Sequence, residues 1–309
     1  MLGKIVFYFV AGGLHMNIEL PQLDDQAQRV VHGRGHCVEG AESFNIEWLP
    51  PVMLIVAYAP LAPETLTALI DQLSAEPRVD GIFLQQRDQP MAPVSHLWGS
   101  ERCPSEVQEQ GLRFKVDIGT HQNFGIFMDM AKGREWVRAH AHGKQVLNLF
   151  SYTCGFAVSA MAGGAESVVN IDMSKAALSI GRDNLRLNGL DDKKARFLGH
   201  DLFKSWGKLR KLGPYDLVIA DPPSMQKGSF LVEKDYPRII RQLPSLLKSQ
   251  GIVMLCLNAP WLGRDFVMDA VAVEAPALEF VEVLDRPSTI MEKSSDDGLK
   301  VMIFMNKGE

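Results

Sequence analysis

The sequence predicts an α/β protein: a doubly wound, mixed seven-stranded sheet preceded by a small α+β domain. Val146 to Gly155 reads VLNLFSYTCG, an apolar strand that runs directly into a turn of small and hydroxyl residues. Apolar strands near residues 145–150, 167–172, 195–199, 215–221 and 250–257 alternate with helical patterns, as successive β-α units require. The last two strands, near 279–285 and 300–305, are separated by the polar loop 286–299. That loop is too short for a crossover helix, so these two strands form an antiparallel hairpin.

Length and composition fit this reading. The chain has 309 residues, 46% of them hydrophobic, enough for a real core, and a formal net charge of -5. That charge argues against a protein that coats nucleic acid nonspecifically, although a local basic surface would not show in the total. Cys37, Cys103, Cys154 and Cys256 are far apart and form no Cys-x-x-Cys pair, which suggests neither a zinc site nor a disulfide framework and fits a reducing, cytoplasmic compartment. The apolar run Ile5 to Val10 is too short to span a bilayer and lacks a small-residue cleavage site, so it reads as a buried strand or a leader foreign to the native protein.

In chain order, residues 1–45 are expected to form an N-terminal arm or loosely ordered segment, because Leu20 to Gly40 is polar with no sustained apolar period. Residues 46–105 form the small α+β domain: strand VMLIVAYA, helix PETLTALIDQLSA with proline near its start, and strand GIFLQQR. Residues 106–309 form the larger domain, entered through the alternating strand GLRFKVDI and the segment HQNFGIFMDM.

Three acids sit at three strand ends of the predicted sheet. Asp172 ends VVNID, Asp201 follows the third strand in GHDLF, and Asp221 ends YDLVIADPPS. Asp172 can accept both ribose hydroxyls of an adenosine, or serve the next helix as its N-cap. Asp201 can accept from an adenine amino group while the amide of Leu202 meets a ring nitrogen, or cap LFKSWGKLRKL. At the third strand end Pro222 and Pro223 remove two donors and leave carbonyls facing outward, so Asp221 and Pro222 can accept from the N–H groups of a planar base. The turn Ser151 to Gly155 has one glycine where a dinucleotide fingerprint wants three, which weakens a dehydrogenase reading.

VLNLFSYTCGFAVSAMAGGAESVVNIDMSKAALSIGRDNLRLNGL, then DLF, then DLVIADPPS, resembles the class I S-adenosylmethionine-dependent methyltransferases. Within them it is similar to the family that modifies large-subunit ribosomal RNA, whose best-known members methylate cytosine C5 or guanine N7. The similarity runs from about Gly111 to the C-terminus. It implies a Rossmann-like methyltransferase fold, S-adenosyl-L-methionine as cofactor and RNA as partner; neither a metal nor a membrane is expected from the residue spacing and the short apolar run. It implies that Ser151, Tyr152, Thr153 and Gly155 line the methionine part, Asp172 with Met173 and Ser174 the ribose, and Asp201 and Leu202 the adenine. It also implies that Phe127 and Asp129 close over the cofactor, and that the unit Val52 to Arg87 corresponds to the compact domain preceding the catalytic one. The chain departs from the pattern where relatives often have Gly-Gly and it has Cys154-Gly155, and in the displaced arginine after Asp129.

Methyl transfer from a sulfonium needs mainly alignment, but carbon C5 of cytosine also needs a cysteine that adds to the ring. In the cytosine-type relatives that the chain resembles a cysteine follows the fifth strand, and the resemblance places Asn258 at that position, while Cys256 lies two residues earlier and is expected to point into the sheet. Asn258 therefore favours a nitrogen acceptor, with guanine in ribosomal RNA preferred, and Asp221, Pro222 and Asn258 as the catalytic group. Phe230, Tyr236 or Trp261 can stack on a base, and Lys227, Lys234 and Arg238 can meet phosphates, although each of these residue types more often serves the core or a solvated loop. His121, His140, His142 and His200 show no metal-ligand spacing. The alternatives are methylation of an amine or amide in a small molecule or protein, and a methyltransferase-like binding module without turnover.

Overall fold

The computed structural model describes residues 5–10, 13–226 and 228–308 and divides the chain into two compact units. One comprises residues 1–131 and 286–293, the other residues 132–285 and 294–309.

In the N-terminal unit, β1 (Ile5–Val10) and β2 (Gly13–Ile18) form an antiparallel hairpin. Strands β3 (Gln28–His32), β4 (Phe44–Leu49), β5 (Val52–Ala57), β6 (Gly81–Gln86) and β7 (Val94–Gly99) make a five-stranded sheet in that order. Only β5 and β6 run parallel, and helix α1 (Pro63–Ser74) makes their crossover with proline in its first turn, where the missing N–H costs nothing. Phe44, Ile46, Trp48, Met53, Ile55, Ile82 and Leu84 share a core with Leu69 and Leu73 of α1. A further hairpin, β8 (Glu106–Glu109) and β9 (Leu112–Lys115), belongs to the same unit.

Two expectations change here. The segment read as a loose arm contains β3, with Val30 and Val31 buried. Its apolar stretch is too short to show a period, and pairing with β4 supplies the order: Arg29 Nε donates to Glu47 Oε1 at 2.8 Å across the strand pair. The compact N-terminal unit also extends past residue 105 to Ala131 and takes in residues 286–293, which His32 Nε2 reaches through Glu292 Oε1 at 2.9 Å.

In the second unit, α2 (Ala131–His140) leads into β10 (Gln145–Leu149), α3 (Gly155–Ala162), β11 (Ser167–Asp172), α4 (Lys175–Leu187), β12 (Ala195–Gly199), α5 (Trp206–Leu212) and β13 (Tyr215–Ala220). After a two-residue pair of strands, β14 (Met225–Gln226) and β15 (Phe230–Leu231), come α6 (Val232–Ile240), β16 (Leu247–Leu257), α7 (Arg264–Glu274), β17 (Leu278–Val283) and β18 (Lys300–Asn306). The sheet order is β12-β11-β10-β13-β16-β18-β17, seven strands, with the first five parallel and β18 antiparallel to both neighbours. The expected final hairpin is present, inserted so that β18 pairs with β16.

Strand order reverses between β10 and β13, the switch point at which open α/β sheets leave a crevice beyond their strand ends. Register aligns that edge: Leu149 is opposite Ile171 on one side and Ala220 on the other, Asp172 is opposite Gly199, and Ala220 is opposite Leu255. The residues that follow these partners are the ones the sequence singled out. Leu147, Leu149, Val169, Val218, Val253 and Leu255 form the sheet's share of one continuous core. Among the described residues no helix is long and apolar enough to cross a membrane.

Candidate active site

The turn after β10 is unusual in its backbone. Phe150, Tyr152 and Cys154 have φ of 55°, 46° and 60°, so three non-glycine residues alternate into the left-handed region. Each such residue costs on the order of 1–3 kcal/mol and persists only where its surroundings over-determine it. The surroundings do so here. Ser151 N donates to Ile171 O at 3.1 Å, Cys154 N to Ser151 O at 2.7 Å, and the buried Asn184 Nδ2 of α4 to Thr153 O at 3.0 Å. The result re-aims the turn across the end of β11, where Tyr152 N donates to Asp172 Oδ2 at 2.9 Å. Ser174 N reaches the other oxygen, Oδ1, at 2.8 Å.

Asp172 is thus gripped by one amide on each oxygen while remaining half-buried, and a carboxylate offers about four acceptor sites in all. The N-cap of α4 is Ser174, whose Oγ accepts from Ala177 N at 3.1 Å. Capping and holding Asp172 are therefore what Ser174 does, while Met173 beside it is exposed. Ser151 and Thr153 are buried and Tyr152 and Gly155 half-buried; Ser151 Oγ has no hydrogen-bond partner among the described residues. An unsatisfied buried hydroxyl beside a fixed carboxylate at a switch point suits a polar, nucleoside-bearing ligand.

The departure at Cys154 has a physical account. A left-handed residue is where glycine is at home, and the thiol that replaces it packs on α4 at Gly181, where an added Cβ would come within 2.7 Å of Cys154 Cβ and closer still to Sγ. Burial pushes the Cys154 thiol well above the ordinary range, the Ser151 hydroxyl opposes this, and the nearby Asp172 charge adds to it. Cys154 is a packing residue.

At the third strand end Asp201 caps the turn Leu202–Lys204, accepting from Phe203 N at 2.9 Å, with Lys204 Nζ 3.6 Å from its Oδ2. Leu202 is buried. The capping role is shown, and one amide leaves the carboxylate acceptor sites to spare. Phe203 joins Phe150 and Phe230 in an aromatic cluster: Phe230 meets Phe150 edge-on at 5.3 Å and stacks with Phe203 at 6.5 Å.

On the other side of the switch, Asp221 is half-buried, Pro222 buried, and Asn258 exposed just beyond β16. Cys256 is fully buried. Two ties missing from the sequence reading fix these strand ends. Tyr236, completely buried on α6, places its hydroxyl 2.8 Å from Cys256 O, to which it donates, and 3.3 Å from Ala220 O. Lys300, 1% exposed, donates to Ala259 O at 3.1 Å, Leu262 O at 2.7 Å and Asp296 O at 2.8 Å, so one ammonium holds the loop that follows Asn258. A lysine opening the apolar strand KVMIFM was the available signal. Its burial is tolerable because three carbonyls replace its water.

Other side chains differ from their expected use. Tyr236 and Phe230 are core residues and present no face for stacking; Trp261 is exposed, with Nε1 donating to Glu233 at 2.6 Å. Arg238 pairs with Asp235 and lies over the Phe203 ring, Lys234 is exposed, and Lys227 lies outside the described residues. His200 Nε2 is 3.0 Å from Lys208 Nζ. Phe127 and Asp129 belong to the N-terminal unit; there burial disfavours the Arg29 charge, and Glu47 and then Asp129 more than offset it. No three potential metal-ligating side chains gather among the described residues.

The family model for S-adenosylmethionine-dependent methyltransferases matches residues 28–305. The chain belongs to that family. Methyltransferase relatives include the ribosomal RNA large subunit methyltransferase I of Erwinia tasmaniensis, 40% identical over 57% of this chain and 46% of the relative. The ribosomal RNA large subunit methyltransferase K/L of Hahella chejuensis is 30% identical over 69% of this chain and 31% of its own length. The chain thus spans less than half the length of these curated relatives. A solved structure described as a methyltransferase complexed with SAH superposes with a TM-score of 0.81 at 25% identity, over 91% of this chain and 75% of that one. The SAM-dependent methyltransferase of Agrobacterium tumefaciens shares the fold, with a TM-score of 0.67 at 17% identity over 96% of this chain and 98% of that one.

The family's cofactor is S-adenosylmethionine. The hydroxyl-rich turn, the half-buried Asp172 carboxylate and the Asp201–Leu202 turn supply polar groups at the switch point that fit a nucleoside-bearing ligand in kind.

Two predictions follow from this geometry. Gly181→Ala should destabilise the protein by about 1–3 kcal/mol through overpacking against Cys154 and weaken S-adenosylmethionine binding, and adding Cys154→Gly should restore both. Thermal unfolding and cofactor titration check this; a double variant as impaired as the single one would contradict it. Tyr236→Phe should cost about 0.5–1.5 kcal/mol of stability by removing the buried hydrogen bond to Cys256 O. It should slow methyl transfer well beyond any change in cofactor affinity, and steady-state kinetics alongside binding would show whether the two effects separate.

Proposed function

We propose that the chain transfers a methyl group from S-adenosylmethionine to a nucleobase nitrogen in RNA, with a guanine nitrogen of ribosomal RNA as the preferred acceptor. The observation that carries the nitrogen is the end of β16: Asn258 is exposed there, and the nearest cysteine in sequence, Cys256, is completely buried. A carbon acceptor of the cytosine type needs an accessible thiolate, and Cys154 is also buried, with its thiol pushed up by that burial. The names of the ribosomal RNA methyltransferase relatives support the RNA part of this reading.

When bound, S-adenosylmethionine supplies a methyl group on a sulfonium, whose departure needs no proton. The chain's task is alignment. Asp172, oriented by the Tyr152 and Ser174 amides, accepts from the ribose hydroxyls, and Asp201 and Leu202 take the adenine edge. Asp221 and the Pro222 carbonyl accept N–H bonds of the base, which orients its nucleophilic nitrogen, and Asn258 offers a donor and an acceptor from the next strand. Guanine N7 carries an available lone pair, so no residue has to remove a proton before transfer. For an exocyclic amine, Asp221 would hold the N–H at its carboxylate. Tyr236 and Lys300 keep the two strand ends at fixed spacing.

Incubation with radiolabelled S-adenosylmethionine and separate RNA, protein and small-molecule fractions tests this. Label should enter RNA and, after nuclease digestion, elute with a methylated guanosine, and Cys256→Ala should retain turnover within about threefold because a buried packing residue is being trimmed. Label in protein alone, or a loss of turnover above 100-fold in Cys256→Ala with cofactor binding intact, would overturn it.

A further inference from the structure

The net charge of -5 conceals a segregation. Residues 175–211 carry ten Lys and Arg against four Asp, a net +6, while the other 272 residues carry 22 Lys and Arg against 33 Asp and Glu, a net -11. The basic segment is one continuous piece of the fold: α4, the turn Asp192–Lys194, β12 and α5. Strand β12 ends the order of the seven-stranded sheet and α4 packs against it, so the segment forms the sheet's edge on the cofactor side of the switch point.

All ten cations are exposed. Few are neutralised in place: Arg186 pairs with Asp192, and Lys204 approaches Asp201. Lys193, Lys194, Arg196 and Lys211 have no carboxylate partner among the described residues. Lys208 leans on the His200 ring nitrogen rather than on an acid, and the Arg182 guanidinium lies 4.9 Å from the Phe197 ring centroid, which holds the cation at the surface. A solvated face ordinarily mixes both signs. Like charges gathered on one edge of an acidic protein repel one another, and a polyanion relieves that repulsion.

We propose that the β12 edge, through Lys193, Lys194, Arg196, Lys208, Arg210 and Lys211, is a track for the phosphate backbone of the RNA that presents the acceptor base. This rests on the RNA reading above. The edge is sequence-blind, since phosphate contacts position a nucleic acid while base contacts specify it. Lys193, Lys194 and Arg196 lie at the amino end of β12 and Arg210 and Lys211 in the last turn of α5, so the flanking backbone would run along the β12 edge toward its carboxyl end, from where the base reaches across the strand ends to Asp221 and Asn258. The acidity of the remainder then discourages nonspecific coating and leaves one basic approach.

The test is the salt dependence of RNA binding by the full chain, with single-stranded ribosomal RNA fragments as probe. The variant Lys193→Gln/Lys194→Gln/Arg196→Gln should lower the slope of log K against log salt by about 2, close to 0.7 for each lost phosphate contact, and weaken binding at 0.1 M salt on the order of 10- to 100-fold. Cofactor affinity and the circular dichroism spectrum should not move. A control with the same charge change elsewhere, Lys115→Gln/Lys132→Gln/Lys307→Gln, should shift the slope by less than 0.5. Equal losses in the two variants, or an unaltered slope in the first, would overturn the track while leaving the RNA reading standing. Absence of salt-dependent RNA binding by the unsubstituted chain would instead sink the RNA reading itself.

Discussion

The carboxylate of Asp172 is held from two directions, by the amide of Tyr152 in the turn after β10 and by the amide of Ser174 at the start of α4. Much of the site depends on that grip. For the Tyr152 amide to reach it, the turn must alternate through the left-handed region at Phe150, Tyr152 and Cys154, and those conformations are held by the Ile171 carbonyl, the Asn184 side chain and the close approach of α4 at Gly181. Strain in the turn is therefore balanced by packing on the helix that follows β11. Tertiary packing and site geometry become one constraint, and a methyl group added at Gly181 threatens both.

The sheet divides the work at its switch point. On the β10, β11 and β12 side lie the held Asp172 carboxylate and the Asp201 turn; on the β13 and β16 side lie Asp221, Pro222 and Asn258, the proposed acceptor group. Among the described residues the second side has no non-glycine left-handed turn at its carboxyl strand ends. Its stiffness comes from two buried polar groups, the Tyr236 hydroxyl between the carbonyls of Cys256 and Ala220 and the Lys300 ammonium among three carbonyls. Buried donors of this kind are expensive to leave unpaired, so each fixes its loop as long as the fold persists.

The sheet was legible because long apolar strands alternate with helical periods, and the acids were legible because each lies at or within two residues of the end of such a strand. The antiparallel end could be read from loop length alone. What was not legible is long-range pairing. Strand β3 is five residues with little period of its own and is ordered by β4. Phe150 and Tyr152 give no sign in sequence of a left-handed backbone, since aromatic residues seldom adopt it. Tyr236 looks like a base-stacking candidate until its burial on α6 is known, and Asp201 carries a capping bond that spacing could suggest but not select. A net charge summed over the whole chain hid the contrast between residues 175–211 and the rest.

Asp172 is the proposed preset acceptor for a ribose diol. Calorimetric titration of the unsubstituted chain with S-adenosylhomocysteine and with its 2′-deoxy and 3′-deoxy analogues measures this without any methyl acceptor. A hydrogen bond to a charged group contributes about 1.5–3 kcal/mol, so at least one deoxy analogue should bind on the order of 10- to 100-fold more weakly than the parent. Equal affinity for all three ligands would contradict a ribose contact at Asp172.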